Sequence, residues 1–173
     1  DVYKRQFLAF ALAIEAIRLS HPAFNNGTIR FWKSILRDGE QNSLTGVPYY
    51  IASALLAFAI FPEPIAILSI LYLACGDPAA SLFGILYGKK WIRFSNGKSL
   101  VGTLAAILVC LACSFVVLLT YPWEFPLDFS KLVAMAFLGS IAGGTTELIP
   151  VEVDDNLSIP LVSGFVLWIV HIL

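Results

Sequence analysis

Charge is what this sequence has least of. Only 13% of its 173 residues are Asp, Glu, Lys or Arg, while 58% are hydrophobic and the mean hydropathy is +0.82. A soluble domain carries about a quarter charged residues and somewhat under half apolar ones. The shortage excludes that class, and the composition reads as an integral membrane protein. The net charge is −1 and no basic arm is present, so nucleic acid is not an expected partner. Cysteine is scarce as well. Cys75, Cys110 and Cys113 all lie in apolar runs, and the one CxxC has no second pair, which excludes a zinc ribbon and a disulfide framework. The two histidines, His21 and His171, stand alone without ligand spacing. No period-2 alternation occurs in "LAAILVCLACSFVVLL", so a β-barrel is excluded. A P-loop is missing too, because Ile92 stands where its first glycine would be. The chain opens at Asp1 without a methionine; the polar "DVYKRQ", residues 1–6, is set aside as a truncation or expression scar, and residues 7–173 are treated as one membrane domain.

What is present is apolar and segmented. Six runs stand out, at 7–19, 44–61, 65–86, 100–121, 132–149 and 157–173. A spanning helix needs about 20 residues, and only helices satisfy their own backbone in lipid. The expected fold is therefore all-α and polytopic, with about six transmembrane helices. Lysine and arginine orient it. Arg18, Arg30, Lys33, Arg37, Lys89, Lys90, Arg93 and Lys98 fall on one side if the segments alternate, against Lys131 on the other, with Lys4 and Arg5 in the leader. The basic loops are placed in the cytoplasm. The acidic loop "PVEVDDNLS" falls on the same side. Basic groups bind phosphate and paired carboxylates bind a hard cation, so together they suit a nucleoside triphosphate with magnesium. A transporter would place its polar groups at the midplane and show symmetry between halves; the Gly76-Asp77-Pro78 of the third segment has no counterpart in the sixth.

That tripeptide is the first informative point. A charge at the bilayer centre costs at least ~2.5 kcal/mol on insertion scales. Pro78 cannot donate to a helix ladder, and Asp and Pro favour the N-cap and first helical position. The pattern predicts a helix interrupted and restarted at Asp77-Pro78. Three readings are open: free backbone N–H groups at the restart holding an anion, a carboxylate presented to a metal ion, or a plain kink capped by Asp77. Ala80, Gly84 and Gly88 then share one face, and Gly102 lies in the next helix, so close helix approach is expected. Gly139 and Gly143 repeat the spacing. Ser95, Asn96 and Gly97 form a turn that sets Lys98 and Ser99 at a helix start, where phosphate is favoured. Taken singly, Lys89, Lys90 and Arg93 are explained by topology.

The second point is "GGTTELIPVEVDDNLSIP". Glu147 ends an apolar run, and Asp154, Asp155 and Asn156 lead into the last helix. Adjacent carboxylates repel unless a cation is near, and a magnesium ion carried by phosphates is the economical partner. A solvated loop with a helix cap is the alternative. Glu15 with Arg18, and Arg37 with Glu40, are three apart and share helix faces; such pairs also satisfy themselves.

Together these stretches resemble the CTP-dependent lipid kinase family, which includes dolichol kinase, phytol kinase and CTP-type diacylglycerol kinase. "GDPAASLFGILYG" resembles that family's Gly-Asp, Ala-Ser, Gly, Gly pattern, "KSLVGT" its Lys-Ser-x-x-Gly, and "ELIPVEVDDNLSIPLVSG" its closing Glu, Asp-Asp-Asn, Pro block; "EAIR" and "LRDGEQNSLTG" resemble its earlier elements. Many members have an acidic residue where Val101 stands. The resemblance implies transfer of the CTP γ-phosphate to a lipid alcohol at the cytoplasmic face. It implies Asp77 and Asp155 as catalytic carboxylates and Asp77, Glu147, Asp154 and Asp155 as magnesium ligands. Lys98, Ser99, Ser81, Lys89 and Asn156 would meet the nucleotide phosphates, with Glu15, Arg18, Arg37, Glu40, Gly84, Gly88 and Gly102 in support. The related phosphatidate cytidylyltransferases share the first two blocks but close on a different signature, so CMP transfer is the alternative outcome.

Overall fold

The apolar runs become helices in the computed structural model, which describes residues 2–32, 43–94, 96–122, 128–149 and 153–173. In chain order these are α1 (Val2–Ser20), α2 (Pro22–Trp32), α3 (Gly46–Ile60), α4 (Glu63–Leu71), α5 (Asp77–Tyr87), α6 (Leu100–Thr120), α7 (Phe129–Thr145) and α8 (Asp155–Ile172). Short 3-10 turns follow α5 (Gly88–Lys90) and α7 (Thr146–Leu148). Among the described residues there is no strand, only an isolated bridge between Arg93 and Ser99.

Three stretches among the described residues are long and apolar enough to cross a membrane: Glu63–Tyr87, Leu100–Thr120 and Asp155–Ile172. They coincide with the third, fourth and sixth of the expected spans. The shorter α3 is apolar at 15 residues, and α7 has 17. Leu108, Val116 and Leu119 stand exposed on α6, an arrangement suited to lipid rather than water. One element differs from the sequence expectation. The helix α2 occupies a stretch read as loop, because its Asn25, Asn26 and Gly27 weaken both apolar periodicity and propensity; Pro22 at its first position suits a helix start. The helix α1 begins at Val2, within the stretch set aside as a scar.

The interruption at Asp77-Pro78 also takes another form. The chain does not break there. Gly76 and Asp77 keep right-handed helical angles (φ −69°, ψ −48° and φ −61°, ψ −47°), and a π turn over Tyr72–Gly76 joins α4 to α5. Proline removes one ladder bond and crowds the carbonyl four residues back; widening the preceding turn by one residue accommodates both without ending the helix. Asp77 is therefore carried on a continuous helix rather than serving as the cap of a new one.

Packing fixes this widened turn. Tyr72 is fully buried, its hydroxyl 2.6 Å from Ser114 Oγ of α6. Its ring lies against Gly143, and its hydroxyl against Gly139, where a β-carbon would come within 2.7 Å and 2.8 Å. The small-residue stripe of α7 thus makes room for Tyr72 at Gly143 and for Tyr72 together with Leu167 of α8 at Gly139. Phe61, at the α3–α4 corner, fills the matching gap at Gly164 of α8 and meets Phe165 edge-on at 5.0 Å. On the other side of the bundle, α5 and α6 touch at backbone distance: a β-carbon on Gly102 would stand 2.6 Å from the Ala80 carbonyl oxygen. Lys131 at the start of α7 donates to the His171 carbonyl at the end of α8 (3.0 Å), so these two helices run antiparallel.

Gly102→Ala should cost about 1–3 kcal/mol, since a backbone carbonyl cannot yield as a flexible side chain would. A β-carbon added to Gly27 of α2 would meet nothing within 4 Å, so Gly27→Ala should be neutral or stabilising by up to about 1 kcal/mol. Thermal unfolding of both variants in detergent reads the difference, and equal midpoints would show that α5 and α6 do not need this approach.

Candidate active site

The site forms where the end of α5, the start of α6 and the turn after α7 converge. Ser99 caps α6, its Oγ accepting from the Gly102 amide at 3.1 Å. Glycine surrounds it: β-carbons on Gly84 and Gly88 would approach Ser99 Oγ to 3.2 Å and 2.7 Å. A β-carbon on Gly102 would approach it as well, to 3.2 Å, so Gly84, Gly88 and Gly102 all close on one serine. Before it, the chain doubles back as a tight hairpin in which Phe94 N donates to Lys98 O (2.8 Å) and Leu100 N to Ile92 O (3.0 Å). Gly97 turns it with φ +81°, a left-handed angle that glycine adopts without strain.

This hairpin delivers Lys98. Its ammonium lies 3.1 Å from Glu147 Oε2 and 3.2 Å from Asp155 Oδ2, joining the loop to the turn after α7 and to the start of α8. Burial opposes its charge, but the two carboxylates outweigh that and hold the ammonium above its ordinary range. Asn96 completes the clamp. Its side chain donates to the Glu147 carbonyl (3.0 Å) and accepts from the Lys98 amide (3.1 Å). Glu147 sits in the 3-10 turn beyond α7 and is buried. Burial pushes its carboxyl up to about 7 from an ordinary 4.5; the hydrogen-bonding Asp77 carboxyl beside it adds to the rise, and Lys98 works against it. The Oε1 atom of Glu147 is buried with no hydrogen-bond partner among the described residues. Next to it lies an open cleft of about 180 Å³, lined by Ala80, Ser81, Gly84 and Ile85 of α5, by Arg93, Gly97, Lys98 and Ser99 of the hairpin, by Gly102 and Thr103 of α6, and by Glu147.

Among the described residues, no three or more His, Cys, Asp or Glu side chains come together to hold a metal. Of the four carboxylates expected from the sequence, Glu147 and Asp155 flank Lys98 and Asp154 accepts from the Asn156 amide. Magnesium, however, takes one or two carboxylates plus phosphate oxygens. Asp77 with Glu147, two adjacent acid groups that include the unpartnered Glu147 Oε1, fit that smaller role.

Of the residues singled out from sequence, Ser81, Gly84, Lys98, Ser99, Gly102 and Glu147 line the cleft, and Asp77 and Asp155 join it through Glu147 and Lys98. Asp154 is the N-cap of α8, accepting from the Asn156 amide (2.9 Å) and from Asn156 Nδ2 (2.7 Å), so this pair serves the helix start. Lys89 is exposed and Gly88 packs on Ser99; neither lines the cleft. Glu15 and Arg18 are buried at a different corner. Arg18 pairs with Glu15 (2.7 Å) and donates to Asn25 of α2 (2.9 Å) and to the Ser43 carbonyl, while Glu15 accepts from the Thr45 hydroxyl (2.9 Å). They tie α1 and α2 to the start of α3. Arg37, Glu40 and Ser95 lie outside the described residues. Sequence reading missed Asn96 as a clamp, and Arg93 and Thr103 as lining; the only signal for Arg93 was its place in a basic loop.

A carboxyl raised like that of Glu147 binds its proton more tightly folded than unfolded. Its contribution to stability is complete below about pH 4.5 and is lost as pH rises through about 7. In metal-free protein, thermal stability should therefore fall between about pH 4.5 and about pH 7, and Glu147→Gln, which mimics the protonated form, should flatten that fall. Superimposable pH profiles for the two proteins would refute the assignment.

With this geometry in view, comparison with known proteins is direct. Residues 7–149 match the model of the cytidylyltransferase family. The chain is 30% identical over 165 residues to CTP-dependent diacylglycerol kinase 1 of Schizosaccharomyces pombe, covering 90% of this chain and 74% of that protein. It is 32% identical to CTP-dependent diacylglycerol kinase 1 of Eremothecium gossypii (88% of this chain, 53% of that one) and 30% identical to probable phytol kinase 1, chloroplastic, of Glycine max (92% and 55%). It thus spans about three quarters of the first relative and little more than half of the other two. No solved structure matches it. The chain belongs to the CTP-dependent lipid kinases of the cytidylyltransferase family.

Proposed function

We propose that this protein transfers the γ-phosphate of CTP to the hydroxyl of a lipid alcohol, such as diacylglycerol, a polyprenol or phytol, at the cytoplasmic face of a membrane. The observation that carries the reading is Lys98, held between Glu147 and Asp155 at the mouth of a cleft on the N-terminal end of α6. That cleft combines what phosphoryl transfer requires: fixed positions and charge to offset phosphate. In this reading the triphosphate lies along Ser81, Ser99 and the hairpin, and α1, α3, the α4–α5 helix, α6, α7 and α8 span the bilayer. Asp77 and Glu147 would hold magnesium, which when bound neutralises phosphate charge. The lipid oxygen forms the new bond to the γ-phosphorus as the bond to the CDP oxygen breaks, and the hydroxyl proton passes to a carboxylate of the same cluster.

A second reading is cytidylyl transfer to phosphatidate, for which the description of the matching family model speaks. The family match stops at residue 149, whereas a relative aligned over 92% of 173 residues must extend past Asn156. That relative is a kinase by name, which favours the γ-transfer reading. CTP labelled at either the α or the γ phosphate, with magnesium, mixed lipid alcohols and phosphatidate, separates the two. Label entering lipid from the γ position alone is the expected result; label from the α position would replace the kinase reading with the second. Asp77→Asn should abolish transfer while the protein still inserts in the membrane, and a variant with undiminished turnover would remove Asp77 from the catalytic set.

A further inference from the structure

Two cations line the cleft, and their surroundings differ. Lys98 already carries two carboxylates, Glu147 at 3.1 Å and Asp155 at 3.2 Å. Arg93 is exposed, lines the same cleft, and meets no acid among the described residues. Its Nε donates weakly to the Gly88 carbonyl (3.4 Å), the carbonyl of the turn that ends α5. Its backbone is held as well, since Arg93 pairs with Ser99 across the hairpin. So the guanidinium is tethered at one nitrogen while its terminal nitrogens have no partner among the described residues.

The consequence is electrostatic. An anion entering the cleft gains little from Lys98 until that ammonium lets go of a carboxylate, and releasing it would leave a buried acid uncompensated. Arg93 asks for no such exchange. A guanidinium also offers paired donors in a planar fork that matches phosphate oxygens, which an ammonium does not. Ser81 adds a hydroxyl to the cleft, and the dipole of α6 favours negative charge at its start.

We propose that Arg93, rather than Lys98, is the residue that captures the nucleotide's polyphosphate, and that Lys98 positions Glu147 and Asp155 for the later step. This rests on the reading of the cleft as a nucleotide site but not on which phosphate is transferred. The full chain in detergent is titrated with inorganic tripolyphosphate, and separately with CTP, without lipid acceptor. Arg93→Gln should weaken tripolyphosphate and CTP binding by about tenfold or more, the size expected for loss of a charge-assisted contact. Arg93→Lys should recover part of the loss. Lys98→Gln should change both affinities by less than about threefold while turnover falls, so the two residues separate in binding against kcat. Thermal unfolding of each variant confirms that it is folded. Undiminished tripolyphosphate binding by Arg93→Gln, equal losses in Arg93→Gln and Lys98→Gln, or no tripolyphosphate binding by the wild-type chain would overturn the proposal. Transfer of α label in place of γ label would defeat the kinase reading yet leave the Arg93 result standing, because both reactions begin from the bound triphosphate.

Discussion

The backbones of α5 and α6 meet where Gly102 faces the Ala80 carbonyl, and the rest of the site is arranged around that contact. Two helices pack this closely only when one presents no side chain. With the helices so placed, Ser99 falls into the space left by Gly84 and Gly88 and caps α6 from inside the bundle. The connecting segment must then double back within a few residues, and it does so through the hairpin turned at Gly97. Lys98 is delivered to the acids by that reversal, and the cleft is the space left beneath it.

The second constraint is the burial of acid at the edge of an apolar bundle. A carboxylate withdrawn from water must be neutralised by a proton, a cation or donors. Here Asp77 and Glu147 adjoin one another, and one lysine serves Glu147 and Asp155 together. The balance is tight: a single ammonium faces two carboxylates, and Asp77 brings a third acid group to the cluster. The Glu15–Arg18 pair shows the contrasting case. Its carboxylate and guanidinium bond each other, Asn25, Ser43 and Thr45, and this corner joins α1 and α2 to the start of α3.

The π turn links the two constraints. Tyr72 occupies the groove of α7 at Gly139 and Gly143 and bonds Ser114 of α6, so the widened turn is wedged between both helices. Asp77, one residue beyond it, inherits its position from this packing. Gly76 belongs to the same device, since any β-carbon there would stand 2.8 Å from Cys110 Sγ.

The all-helical character of the chain and the apolar middle of each long helix were readable from the residues, because in lipid a long apolar run has no stable alternative to a helix. The helix α2 was not, since its polar residues hide the period that marks the others. The glycine spacing was readable for a local reason too: i, i+4 positions share a face whatever lies opposite. Asp77, Lys98, Glu147 and Asp155 were legible as polar exceptions within or beside apolar runs. Their partners were not. Nothing local distinguishes Asp154, which caps a helix, from Asp155, which meets Lys98; the difference arises from which carboxylate the start of α8 turns toward the hairpin. Nor does a proline announce whether it breaks a helix or widens it, because that depends on a tyrosine finding a glycine groove in another segment. Arg93 and Lys98 look alike as basic residues in one loop. Only the fold brings two acids to one of them and leaves the other facing the cleft, since contacts between residues about fifty positions apart are set by packing rather than by sequence neighbours.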